Sequence, residues 1–277
     1  MTISKRHVPT GELLGEYLTF LPSQAEVDRF HADMRTLNPT LLRDAIREGM
    51  GARKLQGTPA QEQRKLLHQI YTRKIKEFSS VYPFVFGVEN GMRSALADHL
   101  EGVFGRINWW IVIRDAVRAG TQPSAFTRIQ GTPVSQNFLK SVFRVFETMA
   151  NPNHVRSVEG PDKTDEFFYC LSLGELWNIT GAEWRLTRGM FCSDGDLGFK
   201  LDLNRFNNTM RLIKDARNEL FHCNPIRNRA QIVQACEEIL DGLNVHLGDY
   251  DADLAAAIYT RIPATVARLR RHHIPAR

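Results

Sequence analysis

Apolar residues recur at helical spacing along most of this chain. Between residues 86 and 104, Val88, Met92, Leu96 and Leu100 stand four apart, with Val103 close behind. This spacing brings side chains to one face of an α-helix. No stretch shows the strict alternation of a half-buried strand or the signal of a tight hairpin. The pattern therefore predicts an all-α protein.

Stretches rich in glycine, proline and asparagine divide these periodic segments. We expect loops at 51–59, 120–134 and 151–162, and a further break over 180–199, which holds four glycines. Between the breaks the periodicity predicts helices at residues 24–36, 39–50, 60–78, 86–104, 109–119, 135–150, 163–178, 201–222, 228–247 and 251–271.

The order of these elements predicts one helical bundle preceded by a separate helical region. We expect a basic helical region over 1–80, the bundle domain over 81–250, and a C-terminal helix with a basic tail over 251–277. A chain of 277 residues can hold one large domain or two small ones. Its hydrophobic fraction of 43% is enough to build a core.

The net charge of +5 permits an anionic partner without requiring one. Residues 43–78 hold nine Lys or Arg against four acids, and 268–277 add four Arg and two His. Either segment could contact a phosphate backbone. Either could equally be a solvated surface, and both interpretations stay open.

Nothing in the sequence predicts a membrane partner. The most apolar run, 107–113, is far shorter than the roughly 20 residues that span a bilayer. The N-terminus lacks the apolar stretch of a signal peptide, so we expect a cytoplasmic protein. The four cysteines form no C-x-x-C pair, which favours reduced thiols. We therefore expect no metal site and no cofactor.

The most informative polar residues stand at the end of the predicted helix 201–222. Phe206, Met210, Ile213 and Leu220 form an apolar stripe on this helix, and Arg217 falls within it. An unpaired charge in such a stripe is costly. Arg217 must therefore find an acid, a partner subunit or a phosphate.

Asn218 and His222 share another face of this helix, about 40° apart. Arg217 and His222 therefore project in different directions, and a site that combines them calls for a second copy of the helix. The alternative is that Arg217 pairs with a core acid and His222 caps the helix C-terminus. The same Arg-to-His spacing recurs at Arg268 and His273 in the basic tail, where we attribute it to chance.

The run from 217 to 229 resembles the signature of HEPN domains, especially the Abi-like (abortive-infection) group. In that group an R-N-x-x-x-H core is often followed by a Pro-Ile or Arg-Ile step and an Asn-Arg pair. Two upstream stretches support the resemblance. The stretch Leu171-Ser172-Leu173-Gly174-Glu175-Leu176 is similar to the group's Leu-Ser-Phe-Gly-x-Leu element. Residues 88–110 are similar to its first core helix and aromatic turn, with Glu89, Arg93, Gly105, Trp109 and Trp110.

The resemblance implies a HEPN-like helical bundle that forms a homodimer and cuts RNA without metal. Arg217 would hold the scissile phosphate, His222 would act as general base or acid, and Asn218 would orient either of them. The products would carry 2′,3′-cyclic phosphate (or 3′-phosphate) and 5′-OH ends. Such a protein acts as a toxin or abortive-infection effector against phage, and its partner would be an antitoxin, either protein or small RNA.

Two positions depart from the family pattern. Some HEPN toxins carry a modified Tyr two residues after the His, where this chain has Asn224. That mode of control is therefore not supported. Leu173 replaces the group's Phe, a conservative change. For Glu89 and Arg93, one helical turn apart, we favour an ion pair over a catalytic role. The alternative function is a non-cleaving RNA-binding or protein-interaction module.

Overall fold

The computed structural model describes residues 13, 16–17, 37–56, 62–160, 166–191, 201–222, 224, 226, 228–245 and 247. The described chain is mostly helical, which confirms the all-α fold class. The predicted helices at 24–36 and 251–271 lie outside the described residues. The helices are α1 Pro39–Gln56, α2 Gln63–Ser79, α3 Tyr82–Phe104, α4 Ile111–Arg118, α5 Gln136–Thr148, α6 Pro152–Ser157, α7 Glu166–Tyr169, α8 Leu173–Ala182, α9 Trp184–Thr187, α10 Leu203–Phe221 and α11 Arg229–Gly242.

Helix α3 is the central element of the larger core. It contacts α7, α8, α9, α10 and α11. Its predicted apolar face is fully buried, because Val88, Met92, Leu96 and Leu100 are each 0% exposed. Gly105 ends the helix in the left-handed conformation, with φ of 72°. Two buried tryptophans follow and pack in a cluster of aromatic rings with Phe104, Phe138, Phe146, Phe167 and Phe168.

The buried apolar residues form two separate clusters. The larger draws on residues from 81 to 243, and the smaller on residues from 13 to 71. Helices α1 and α2 pack on each other in the smaller cluster. Glu77 on α2 also forms an ion pair with Arg229 on α11, at 3.4 Å. The division of the chain near residue 80 stays a prediction, since contacts cross it.

The predicted loop 120–134 contains one tight hairpin, for which the sequence shows no signal. Strands β1 Arg128–Ile129 and β2 Thr132–Pro133 pair antiparallel inside the predicted loop 120–134. Gln130 and Gly131 form the two-residue turn with φ of 47° and 82°. Positive φ at both positions suits the turns that match strand twist. Gln at the first position gives none of the signal that Asn or Asp would give.

The predicted helix 163–178 is also wrong, because the described chain forms two helices there. Helix α7 ends at Tyr169, and Ser172 starts α8 through a capping box. The Ser172 hydroxyl accepts from the Glu175 backbone N–H at 3.4 Å, while the Glu175 carboxylate accepts from the Ser172 backbone N–H at 2.7 Å. The Ser-x-x-Glu spacing signals this start in the sequence.

Three predicted breaks are shorter than expected. Helix α1 runs on to Gln56 through Gly51, where a side chain would meet open space. Helix α6 lies within the predicted loop 151–162, with the Asn151 side chain as its N-cap. Helices α8 and α9 continue into the predicted break at 180–199. Glycine disfavours a helix only weakly, so α1 runs through Gly51 and α8 through Gly181.

The capping box gives a prediction for stability. Ser172→Ala is expected to lower the free energy of unfolding by about 1 kcal/mol, because one backbone N–H at the start of α8 loses its acceptor. Urea denaturation of the two proteins measures this difference. The matched control is Ser124→Ala, at an exposed serine, which should change stability by less than about 0.5 kcal/mol. Equal effects of the two changes would contradict the prediction.

Candidate functional site

Helix α10 presents its predicted apolar stripe to the core. Asp202 caps its start by accepting from the Arg205 backbone N–H at 2.8 Å. Phe206, Met210 and Ile213 are each 0% exposed, and Leu220 is 4% exposed. Packing of this stripe against α3 and α8 fixes how α10 is rotated about its axis. The rotation in turn determines where the candidate residues at its end point.

Arg217 faces α3, as its place in the apolar stripe requires. Its side chain is 26% exposed, and its Nε donates to Glu89 Oε2 at 3.0 Å. The sequence left an acid, a partner subunit or a phosphate as possible partners of Arg217, and an acid, Glu89, is present. Among the described residues, neither terminal nitrogen of Arg217 makes a hydrogen bond. Glu89 therefore anchors the guanidinium through its Nε.

Glu89 bridges two arginines. Its Oε1 accepts from Arg93 Nη2 at 3.1 Å, so that the ion pair predicted for these residues is present. Arg93 also donates to Asn90 Oδ1 at 2.7 Å and to the backbone oxygens of Phe168 and Leu171, each at 3.0 Å. These bonds fix Arg93 firmly, and through it Glu89. The carboxylate that anchors Arg217 is itself held in place.

An exposed aromatic surface adjoins Arg217. The guanidinium carbon lies 4.4 Å from the ring centroid of Phe221, a cation–π contact. Phe221 is 58% exposed, and Tyr82 and Phe86 on α3 are 44% and 56% exposed. The Tyr82 centroid lies 6.4 Å from that of Phe221 and 5.9 Å from that of Phe86. We call these three rings the aromatic patch.

Asn218 and His222 lie on the solvent side of α10. Both side chains are exposed, and within the described part of the chain neither one has a hydrogen bond or an ion pair. His222 is the C-cap residue, and its backbone N–H donates to Asn218 O at 3.0 Å. The backbone N–H of Asn224 then donates to Glu219 O at 2.8 Å, closing the last turn.

Arg217 and His222 lie on different sides of α10. Five residues separate them, which corresponds to about 140° around a helix. Arg217 engages α3, whereas His222 faces solvent. This agrees with the geometry expected from the sequence. Asn218 and His222 are neighbours on the exposed side of α10, and Arg217 lies on another side of the helix. The catalytic role of all three stays a prediction.

The basic segment 43–78 carries much of its charge in ion pairs. Arg73 and Lys74 both bind the Glu48 carboxylate, Lys74 at 3.0 Å. Burial of the Glu48 carboxyl acts to raise its pKa, but hydrogen bonds from Lys74 and Arg73 outweigh it and lower that pKa. Arg47 lies 3.7 Å from Asp44. These pairs reduce the positive charge that this surface would offer to a phosphate backbone.

The two described cysteines have thiols that burial makes harder to deprotonate. Cys170 and Cys236 are both free thiols. Burial raises the pKa of Cys236 to about 12 and also raises the pKa of Cys170. Cys192 and Cys223 lie outside the described residues. Within the described ranges, no three His, Cys, Asp or Glu side chains group as metal ligands, and no helix is long and apolar enough to cross a membrane.

Two features were not predicted from the sequence: the aromatic patch and the anchoring of Arg217 by Glu89. Tyr82 and Phe86 do stand at helical spacing, but large aromatics at that spacing are usually buried. Glu89 precedes Arg217 by 128 residues, so no local pattern pairs them. Comparison of the chain with protein-family models, curated proteins and solved structures finds no match.

Proposed function

We propose that this protein is a metal-independent HEPN endoribonuclease that acts as a toxin or abortive-infection effector. Two copies would place Arg217 of one chain near His222 and Asn218 of the other. The observation that carries the proposal is the state of Arg217. Glu89 holds its Nε, and among the described residues neither Nη group makes a hydrogen bond. Two parallel N–H donors are the geometry with which arginine grips a phosphate.

The chemistry follows from these residue types. A neutral His222 takes the proton of the ribose 2′-OH, whose oxygen attacks the adjacent phosphorus. The bond to the 5′-oxygen breaks, and that leaving oxygen takes a proton from water. Arg217 offsets the charge that develops on the phosphate oxygens. The products are a 2′,3′-cyclic phosphate and a 5′-OH end.

The aromatic patch supports a homodimer as the active form. Three large exposed rings in one place are unusual on a monomer surface and typical of protein interfaces. The patch adjoins Arg217 directly through Phe221. A second copy docked there would bring its own α10 close to Arg217. The contact would be isologous, so that each subunit gives and receives the same residues.

A second candidate function draws on the same ion pair. Arg217 already has a carboxylate partner in Glu89, as expected of an arginine with a purely structural role. In that case the protein is a non-cleaving RNA-binding or protein-interaction module, whose partner is a small RNA or an antitoxin. The cytoplasm would be its place of action in both cases.

Incubation with total cellular RNA in EDTA tests the proposal. Wild-type protein is expected to produce fragments with 5′-OH ends, and His222→Ala protein none. His154→Ala, at a half-buried histidine on α6, is the matched control and should cut as wild type does. Fragments that persist in the His222→Ala protein would overturn the assignment of His222. RNA retained but left intact by wild type would favour the binding module.

A further inference from the structure

A cleft of about 920 Å³ lies between α5, α8 and α10. Its charged lining is unbalanced, because four cationic side chains face one carboxylate, that of Glu175. Two of the cations come from α5 and two from α10, on opposite walls. They are Lys140, Arg144, Arg211 and Lys214. None of these four residues is predicted from the sequence as a site residue.

These cations have no acidic partner in the part of the chain that the structure describes. Among the described residues, none of the four forms an ion pair, in contrast to Arg73 and Lys74 on α2. The Glu175 carboxylate is already engaged, because its Oε2 accepts from the Ser172 backbone N–H and hydroxyl, each at 2.7 Å. Like charges gathered in a concave surface focus a positive potential. That potential favours an anionic ligand.

The uncharged lining suits a nucleic acid strand. Trp177 is half-buried in the cleft wall, and its Nε1 donates to Asn207 Oδ1 at 2.7 Å. The Lys214 ammonium lies 5.6 Å from the Trp177 ring centroid. The side-chain amides of Asn137 and Asn178 complete this part of the wall. Cations, an aromatic ring and amides together are the means by which proteins bind single-stranded nucleic acids.

Helix α10 connects the cleft with the candidate site. Asn207, Arg211 and Lys214 line the cleft from one side of this helix. On a regular helix, Asn218 lies about 40° from Lys214, and His222 a further 40° round. The axial distance from Lys214 to His222 is about 12 Å. The cationic wall of α10 therefore leads to the exposed pair Asn218 and His222.

We propose that this cleft binds the phosphate backbone of single-stranded RNA and directs the strand to Asn218 and His222. The assignment to RNA rests on the proposed ribonuclease function, since the path ends at its candidate acid–base residue. An acidic protein would also be attracted by the charge. The amides, the aromatic ring and the direction of the path favour RNA.

The test measures binding separately from cutting. A fluorescent single-stranded RNA is titrated with His222→Ala protein, with and without Lys140→Ala/Arg144→Ala on α5, over a series of salt concentrations. Loss of two phosphate contacts should raise Kd by at least about tenfold at low salt. It should also reduce the slope of log K against log salt by about 1.4, or 0.7 for each contact.

Arg106→Ala/Arg118→Ala, which removes two exposed arginines elsewhere, is the matched control. It should leave the salt slope unchanged. Equal Kd and slope for both pairs of substitutions would overturn the cleft assignment, even if wild type cuts RNA. The same proteins are also titrated with poly-glutamate. If Lys140→Ala/Arg144→Ala weakens binding to poly-glutamate more than binding to RNA, the cleft would instead be assigned to an acidic protein. RNA that binds through the cleft but is never cut would overturn the proposed function alone.

Discussion

Mixing Arg217→Ala protein with His222→Ala protein is expected to restore about one quarter of the wild-type rate of RNA cleavage. Each variant alone should lose about 10³-fold in rate, the usual effect of removing a group that transfers protons or stabilises charge. Recovery follows from the geometry of α10. Arg217 and His222 lie about 140° apart on one helix, and in the proposed dimer each site takes one residue from each chain.

The expected fraction comes from counting sites. Random pairing gives about half heterodimers, and each heterodimer has one intact site out of two. The other site in the heterodimer lacks both residues. Co-expression with two different affinity tags isolates the heterodimer, whose rate is then measured directly. A purified heterodimer as inactive as either parent would show that the site lies within one chain.

A wild-type partner supplies the matched control. When wild type is mixed with the double variant Arg217→Ala/His222→Ala, every heterodimer site lacks one of the two residues. The mixture should retain about one quarter of the rate of the same total amount of wild type. If each chain carried its own site, the rate would be about one half. Initial rates distinguish a retained rate of one quarter from one of one half.

The helical periodicity predicted the parts of the fold that local spacing controls. The apolar stripes of α3 and α10 are buried, because apolar residues at helical spacing must face a core. They are Val88, Met92, Leu96 and Leu100 on α3, and Phe206, Met210, Ile213 and Leu220 on α10. The same reasoning required a partner for Arg217. It could not identify Glu89, since that pairing depends on how α3 and α10 pack rather than on either sequence alone.

The missed features have related causes. The turn at Gln130-Gly131 needs positive φ at a glutamine. Glutamine is not among the residues that commonly signal such a turn. The cleft exists only where α5 faces α10, so its four cations look like ordinary solvated charges in sequence. The Ser172 capping box is different. Its spacing was present and recognisable, but a continuous apolar pattern across 163–178 outweighed it.

Glu89→Ala is expected to lower both stability and cleavage. Glu89 and Arg217 are 17% and 26% exposed, so solvent screens their ion pair in part. Loss of a fully buried partner costs 3–5 kcal/mol, and we therefore expect about 2 kcal/mol here. Arg93 keeps its bonds to Asn90 and to two backbone oxygens, which limits the cost. Chemical denaturation measures this difference.

The effect on cleavage separates a positioning role from a structural one. Without its anchor, the Arg217 guanidinium loses its fixed orientation, and kcat should fall by about tenfold or more while RNA binding changes little. Glu89→Gln keeps an acceptor oxygen and should fall between wild type and Glu89→Ala. Glu77→Ala breaks more exposed pairs with Arg73 and Arg229 and should cost less than about 1 kcal/mol, with no change in kcat. If folded Glu89→Ala protein cuts at the wild-type rate, Glu89 does not position Arg217 for catalysis, and the ion pair serves the fold alone.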